Sequence, residues 1–205
     1  MRTKLYTTAL TLSAIWGGML SLGSCSEKET MYPAIITDFA SMHADKNGLA
    51  DTLTLDDGQS FSINNHIADL KPEANYRVVC GYTTEGKQAT LYSLISAYYL
   101  RDSSLIAKQD PIGVLSAWKS GKYINMHLLP RTQEGEQYWG YCIDSLTTHH
   151  AHLSLHHSQN NDPTSYSTDV YASIPLDSIN GITAGDTITL SINTFKGIQT
   201  WTMKK

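Results

Sequence analysis

Five of the chain's eight histidines fall within nine residues, in the run HHAHLSLHH from His149 to His157. Imidazole is a metal ligand, a general base and the side chain whose charge changes nearest neutral pH. The run is therefore open to three readings: a divalent-metal site, a pH-responsive face, or one polar face of an ordinary strand. Backbone geometry decides among them. In an extended segment successive side chains point to opposite faces. Ala151, Leu153 and Leu155 then face a core, while His150, His152 and His156 face outward with Ser154 between them. Same-face neighbours sit about 6.5–7 Å apart along a strand, so His150 and His152 can share one metal. His156 is too far to join them without another element. Zinc asks for three or four such ligands, and His127, on the polar face of YINMHLL, is the candidate third. On the plainer reading histidine stands where Thr or Lys would serve equally well. His149 and His157 have apolar-facing parity and are expected at the strand ends, in contact with water.

The charge around the run is one-sided. Between Thr132 and Phe195 there is no Lys or Arg, yet Glu134, Glu136, Asp144, Asp162, Asp169, Asp177 and Asp186 all occur. Nearby carboxylates favour imidazolium, so the C-terminal half is expected to gain positive charge in mild acid and change its affinity for a partner. Partner binding that stays flat between about pH 5 and 8 would contradict this.

Other catalytic chemistry finds no support. No serine sits in a G-x-S-x-G turn, and no glycine-rich phosphate loop occurs. Asp56 and Asp57 are adjacent carboxylates, but neighbours in a turn point apart, and the turn Asp56-Asp57-Gly58 explains them. The chain is therefore expected not to be an enzyme and to need no cofactor. Binding is the better class: 12 tyrosines and four tryptophans offer apolar contact with a polar handle. Trp118, Tyr123, Tyr138, Trp139 and Tyr141 are close in sequence. Alternation puts Tyr138 and Gly140 on one face and Trp139 and Tyr141 on the other.

The elements that position these residues are all β. Helical periodicity is nearly absent, and short β-branched and aromatic runs are broken by Gly, Asn, Asp and Pro. In the first half, strands are expected near 33–40, 50–55, 59–64, 76–83 and 89–98, with an Asp-Gly turn at Asp57-Gly58 and another at Glu85-Gly86. His66 to Leu70 is expected to form one short helical turn. Five such strands fit a Greek-key barrel of the OB type. The polar stretch RDSSLIAKQD before Pro111 marks a boundary. Beyond it, strands near 112–118, 122–129, 136–144, 150–157, 167–174, 186–194 and 198–203 suggest a seven-stranded antiparallel β-sandwich. Ile124, Met126 and Leu128 are expected in its core. The division is an OB-like domain over 32–105 and a sandwich domain over 106–205.

The chain begins MRTKLYTTALTLSAIWGGMLSLGSC, with Arg2 and Lys4 before an apolar stretch and small residues before Cys25. That is the order of a secretory signal, over 1–24. Leu22, Gly23, Ser24 and Cys25 resemble the lipobox of bacterial lipoproteins, in which the cysteine is lipidated and becomes the new N-terminus. A plain signal peptide or a short anchor is the alternative, though glycines 17 and 18 make a poor permanent span. Residues 25–31 would be a tether, with acyl chains such as palmitate holding the protein on the membrane. Ser26 resembles sorting to the outer membrane, on its periplasmic face or the cell surface, and Glu27 and Glu29 resemble surface-export signals. Without the leader, 13 cations face 19 acids, a net charge of −6. Such acidity argues against nucleic acid. Cys80 and Cys142 could pair outside the cytoplasm or stay as buried thiols, each in its own apolar strand.

Several stretches together are similar to one known family. These are the lipobox, Asp56-Asp57-Gly58, the WKSGKYIN segment (Trp118, Gly121, Tyr123, Asn125), SIPL from Ser173 to Leu176, and the run from His157 to Asp162. In this order they resemble the NigD-like lipoproteins, and the resemblance implies an N-terminal OB domain followed by a C-terminal β-sandwich. A bacteriocin-immunity role has been suggested for that family from gene placement. The expected function is thus an envelope-anchored, non-catalytic binding or structural module with a protein or glycan partner. The alternative is a metal-dependent function using His150, His152 and His127.

Overall fold

The computed structural model describes residues 34–103 and 108–205, so the leader, Cys25 and the tether lie outside the described residues. The barrel and the sandwich below belong to one compact unit, Pro33–Lys205.

Five strands close the barrel: β1 (Ile36–Ala44), β2 (Ala50–Leu55), β3 (Ser60–Ile63), β4 (Asn75–Glu85) and β5 (Gln88–Ser96). Their order is β1-β2-β3-β5-β4, with β3 and β5 parallel and every other ladder antiparallel. This is the OB arrangement. Inward parity gives a core of Ala40, Met42, Leu53, Val78, Cys80, Tyr82, Ala89 and Leu91. β1 lies three to four residues C-terminal to the expected 33–40, because it must pair β2 through Ala44 and β4 through His43. The expected helical turn at His66–Leu70 does not form. Backbone bonds instead tie this segment to the β1–β2 corner: Ala50 N donates to Ile67 O and Leu70 N to Gly48 O. A positive φ of 62° at Asp69 also breaks helical geometry there.

The remaining strands are β6 (Tyr98–Tyr99), β7 (Gly113–Ser120), β8 (Tyr123–Leu129), β9 (Arg131–Thr132) and β10 (Tyr138–Leu146). They continue as β11 (His150–Ser158), β12 (Tyr166–Ser167), β13 (Val170–Pro175), β14 (Thr187–Thr194) and β15 (Gly197–Lys204). One sheet runs β6-β13-β8-β7 and the other β10-β11-β14-β15, while β9 and β12 form a small ribbon. All seven expected strands are present. The two-residue strands β6, β9 and β12 owe their pairing to tertiary contact. The sandwich departs from a purely antiparallel one where β11 runs parallel to β14 and β6 parallel to β13. Between the sheets lie Ile124, Met126, Leu128, Tyr141, Leu153, Ile174, Ile188 and Leu190, each fully buried. Cys80 is a buried free thiol, whereas Cys142 is free but only half-buried.

Candidate functional site

Outward-facing residues of β8 and β13 meet the barrel around a single cation. Arg77, on β4, is the one charged side chain in YRVVCGY, and it is buried. Its Nη1 donates to Asp56 Oδ1 at 2.6 Å and its Nη2 to Asp56 Oδ2 at 2.8 Å. The sandwich completes the set. Nη2 also donates to Asn125 Oδ1 at 2.9 Å and Nε to Ser173 Oγ at 2.9 Å. Asn125 Nδ2 donates to Asp56 Oδ2 at 2.7 Å, and Ser173 Oγ to Asn125 Oδ1 at 2.7 Å. The guanidinium lies 3.8 Å from the Tyr123 ring centroid. A bidentate pair whose cation also donates to Asn125 and Ser173 is the kind of setting in which a buried charge is tolerated.

Next to it, Gly121 turns β7 into β8 with φ +49°, and a Cβ there would come within 1.6 Å of Asp56 O. Three sequence stretches singled out above therefore converge on one junction. Asp56 comes from the DDG turn, Gly121, Tyr123 and Asn125 from WKSGKYIN, and Ser173 from SIPL. Asp56 does more than make its turn: it anchors the barrel to the sandwich.

Beside this clamp a cleft of about 290 Å³ opens between the two lobes. Phe39 forms its buried floor, with Trp118 edge-on at 5.5 Å and Tyr171 edge-on at 5.9 Å between ring centroids. Trp118 is 39% exposed. Asp38, Asp56 and Asp57 are among the residues that line the cleft. Asp38 Oδ2 accepts from Tyr82 Oη at 2.9 Å. Burial, then that carboxylate, pushes the Tyr82 phenol well above its ordinary range.

The histidine run is a strand whose alternation holds. Ala151, Leu153 and Leu155 are buried, and His150, His152 and His156 lie on the outer face. The rings of His150 and His152 lie 3.9 Å apart, and His150 Nε2 shares a hydrogen bond with Thr189 Oγ1. His127 does not join them. It sits on β8, on the outer face of the opposite sheet, bonded to Asp169 at 2.6 Å and stacked on Tyr171 at 4.5 Å. Among the described residues no three His, Cys, Asp or Glu side chains converge as a metal-binding group.

The two end histidines differ. His149 is exposed and bonds Asp186 at 2.8 Å. His157, expected to reach water, is buried at 1% exposure. It is bonded to Gln137 Oε1 and Asp110 O and stacked on Trp139 at 4.2 Å. Its burial depresses its basicity against the opposing pull of Asp110, which works against an acid-induced gain of charge at this position. The run from His157 to Asp162 is a loop fastener. Burial pushes the Asp162 carboxyl up, but donors from Thr132, Gln133, Gln137 and Gly135 outweigh it and hold the group at about 2.

His127 and Asp169 have the look of a base and its orienting carboxylate. Among the described residues, however, no hydroxyl or thiol is hydrogen-bonded to His127. Burial raises the Cys80 thiol to about 11 and raises Cys142 as well, which leaves neither as a ready thiolate nucleophile. Of the aromatic pairs, Tyr138 is exposed and Tyr141 fully buried. Trp139 is sandwiched between His157 and Tyr98.

Residues 39–95 match the family model of the NigD-like N-terminal OB domain, and residues 99–205 that of the NigD-like C-terminal beta sandwich domain. A NigD-like immunity protein from Bacteroides caccae ATCC 43185 is 25% identical, with a TM-score of 0.62 over 84% of this chain and 93% of that one. A candidate toxin-related protein from Parabacteroides distasonis ATCC 8503 is 16% identical, with a TM-score of 0.67 over 84% and 93%. A candidate lipoprotein from Bacteroides fragilis NCTC 9343 is 13% identical, with a TM-score of 0.58 over 84% and 97%. No curated protein matches the chain.

Proposed function

The chain belongs to the NigD-like family, and from that premise we propose that it is a lipid-anchored envelope protein that binds a partner at its junction cleft without transforming it. The observation that carries this is the cleft itself. Phe39, Trp118 and Tyr171 line it, and the Arg77 clamp fixes the two lobes that form it. A rigid, partly open aromatic surface supplies binding area at low entropic cost. The immunity protein among its structural relatives supports an immunity-like form of this role, in which a toxin is sequestered at the membrane.

Anchoring through Cys25 in the outer membrane is supported by the LGSC sequence and its cationic, apolar leader. No helix among the described residues is long and apolar enough to cross a membrane. Growth with labelled palmitate tests the anchor. Wild-type protein should carry label and sediment with outer-membrane vesicles, whereas Cys25→Ser should carry none and move to the soluble fraction. Label on the Cys25→Ser protein would overturn the anchor.

A second reading, a metal-dependent function, rests on the 3.9 Å approach of the His150 and His152 rings. Two imidazoles on one strand supply half of a tetrahedral set. The rest would have to come from the partner, with His127 held on the opposite sheet.

A further inference from the structure

We infer that the junction cleft takes a cationic side chain, the guanidinium or ammonium of an Arg or Lys projecting from a basic partner protein. The inference rests on the reading of this cleft as the partner-binding surface and names the chemistry of what enters it. The charge of the wall carries the argument. Three acidic residues line the cleft and no Lys, Arg or His does. Asp56 is neutralised from behind by Arg77 in the two-bond pair. Asp38 and Asp57 have no cationic partner among the described residues. Asp38 receives one neutral donor, the Tyr82 hydroxyl on Oδ2. Asp57 is held by the backbone amide and side-chain amide of Gln59. The wall thus carries two acidic residues whose charge no cation among the described residues compensates.

The aromatic floor agrees with the charge. A cation placed against the face of Trp, Tyr or Phe within about 6 Å is attracted by the ring quadrupole. The chain already uses that geometry one step away, where Arg77 lies over Tyr123 at 3.8 Å. Trp118 is a partly exposed indole-bearing residue, 39% accessible as a whole. The cavity, about 290 Å³, is at the small end of the roughly 300–1,000 Å³ of drug-sized ligand sites. It fits one long side chain better than a cofactor. The acidic surplus of the chain outside its leader, −6, steers a basic partner toward it and repels an acidic one.

The test follows the Trp118 indole N–H by NMR in the full mature chain held in detergent micelles, with Trp118→Phe to assign the signal. The probes are acetyl-Gly-Arg-Gly-amide, its Lys and Gln counterparts, and a neutral oligosaccharide, maltoheptaose. The Arg and Lys peptides should shift the resonance saturably, and the Gln peptide and the sugar should not. Asp57→Asn and Asp38→Asn should each weaken the Arg peptide about threefold. Raising salt from about 0.05 M to about 0.5 M should weaken it further. Equal response to the Gln peptide, or to the sugar, would overturn cation recognition while leaving the cleft a binding surface. No response to any probe would also overturn it. The broader binding reading fails by a different result, the absence of cleft-specific crosslinks in cells.

Discussion

Arg77 and Asp56 are both barrel residues, yet the bidentate pair they make at 2.6 and 2.8 Å is completed by sandwich residues Asn125 and Ser173. The ion pair is therefore the joint between the lobes. Its side chains are 2% and 4% exposed, so the pair is shielded from water.

Removing one member leaves a buried charge alone, which costs about 3–5 kcal/mol. Arg77→Leu and Asp56→Asn should each lower the urea-unfolding free energy by that order. The double variant should recover part of the loss, because no charge is then orphaned. Ser173→Ala, which removes one neutral partner, should cost about 1 kcal/mol. Equal losses for Arg77→Leu and Ser173→Ala would contradict the clamp.

Gly121 and Gly58 both have positive φ, but a Cβ at Gly121 meets Asp56 O at 1.6 Å and one at Gly58 meets nothing within 4 Å. Gly58→Ala should cost about 1–2 kcal/mol from backbone strain alone. Gly121→Ala should cost clearly more and loosen the junction, seen as faster amide exchange at Asn125 and Arg77. Similar losses for the two would mean the close approach is not structural.

Acid should weaken the fold in two separable windows. Folded His157 takes up a proton less readily than the unfolded chain, which does so near pH 6.5. Stability is therefore full above that pH and falls as pH drops below it. Asp162, held at about 2, contributes stability above its unfolded value near 4 that is lost as pH falls toward 2. Urea midpoints of His157→Gln should show a flatter slope between about pH 7 and 5, with the steeper fall below 4 retained. A wild-type midpoint that rises on acidification from 7 to 5 would contradict the lowered basicity of buried His157.

Untagged protein should hold well under one zinc per chain after dialysis, because His150 and His152 have no third ligand among the described residues. Weak retention on nickel resin should disappear in His150→Ala/His152→Ala. Stoichiometric zinc by elemental analysis would favour the metal-dependent reading.

The fold was largely legible because burial follows parity. Ile124, Met126 and Leu128 in β8 and Ala151, Leu153 and Leu155 in β11 are alternate apolar residues and all are buried, and period-two patterning is the strongest local strand signal. What escaped was set by tertiary contact. β1 extends to Ala44 because two partners require it, and β6 exists only because β13 pairs with it. His157 has the parity of a core residue, but Gln137, Asp110 and Trp139, which bury it, are distant in sequence. The junction was half legible. Its motifs stood out as short stretches, and an arginine inside the apolar strand YRVVCGY is itself a mark of a buried ion pair. Nothing local says that Asp56, Asn125 and Ser173 are its partners, nor that Phe39, Trp118 and Tyr171 share one cleft.

The most direct measurement is site-specific photocrosslinking in intact cells. A photoreactive phenylalanine analogue placed at Ser120, on the cleft wall, is compared with one at Thr202, on strand β15 of the opposite sheet. The account predicts a discrete protein adduct from Ser120 that Trp118→Ala diminishes, and none from Thr202. No adduct from Ser120, or the same adduct from both positions, would contradict partner binding at the junction.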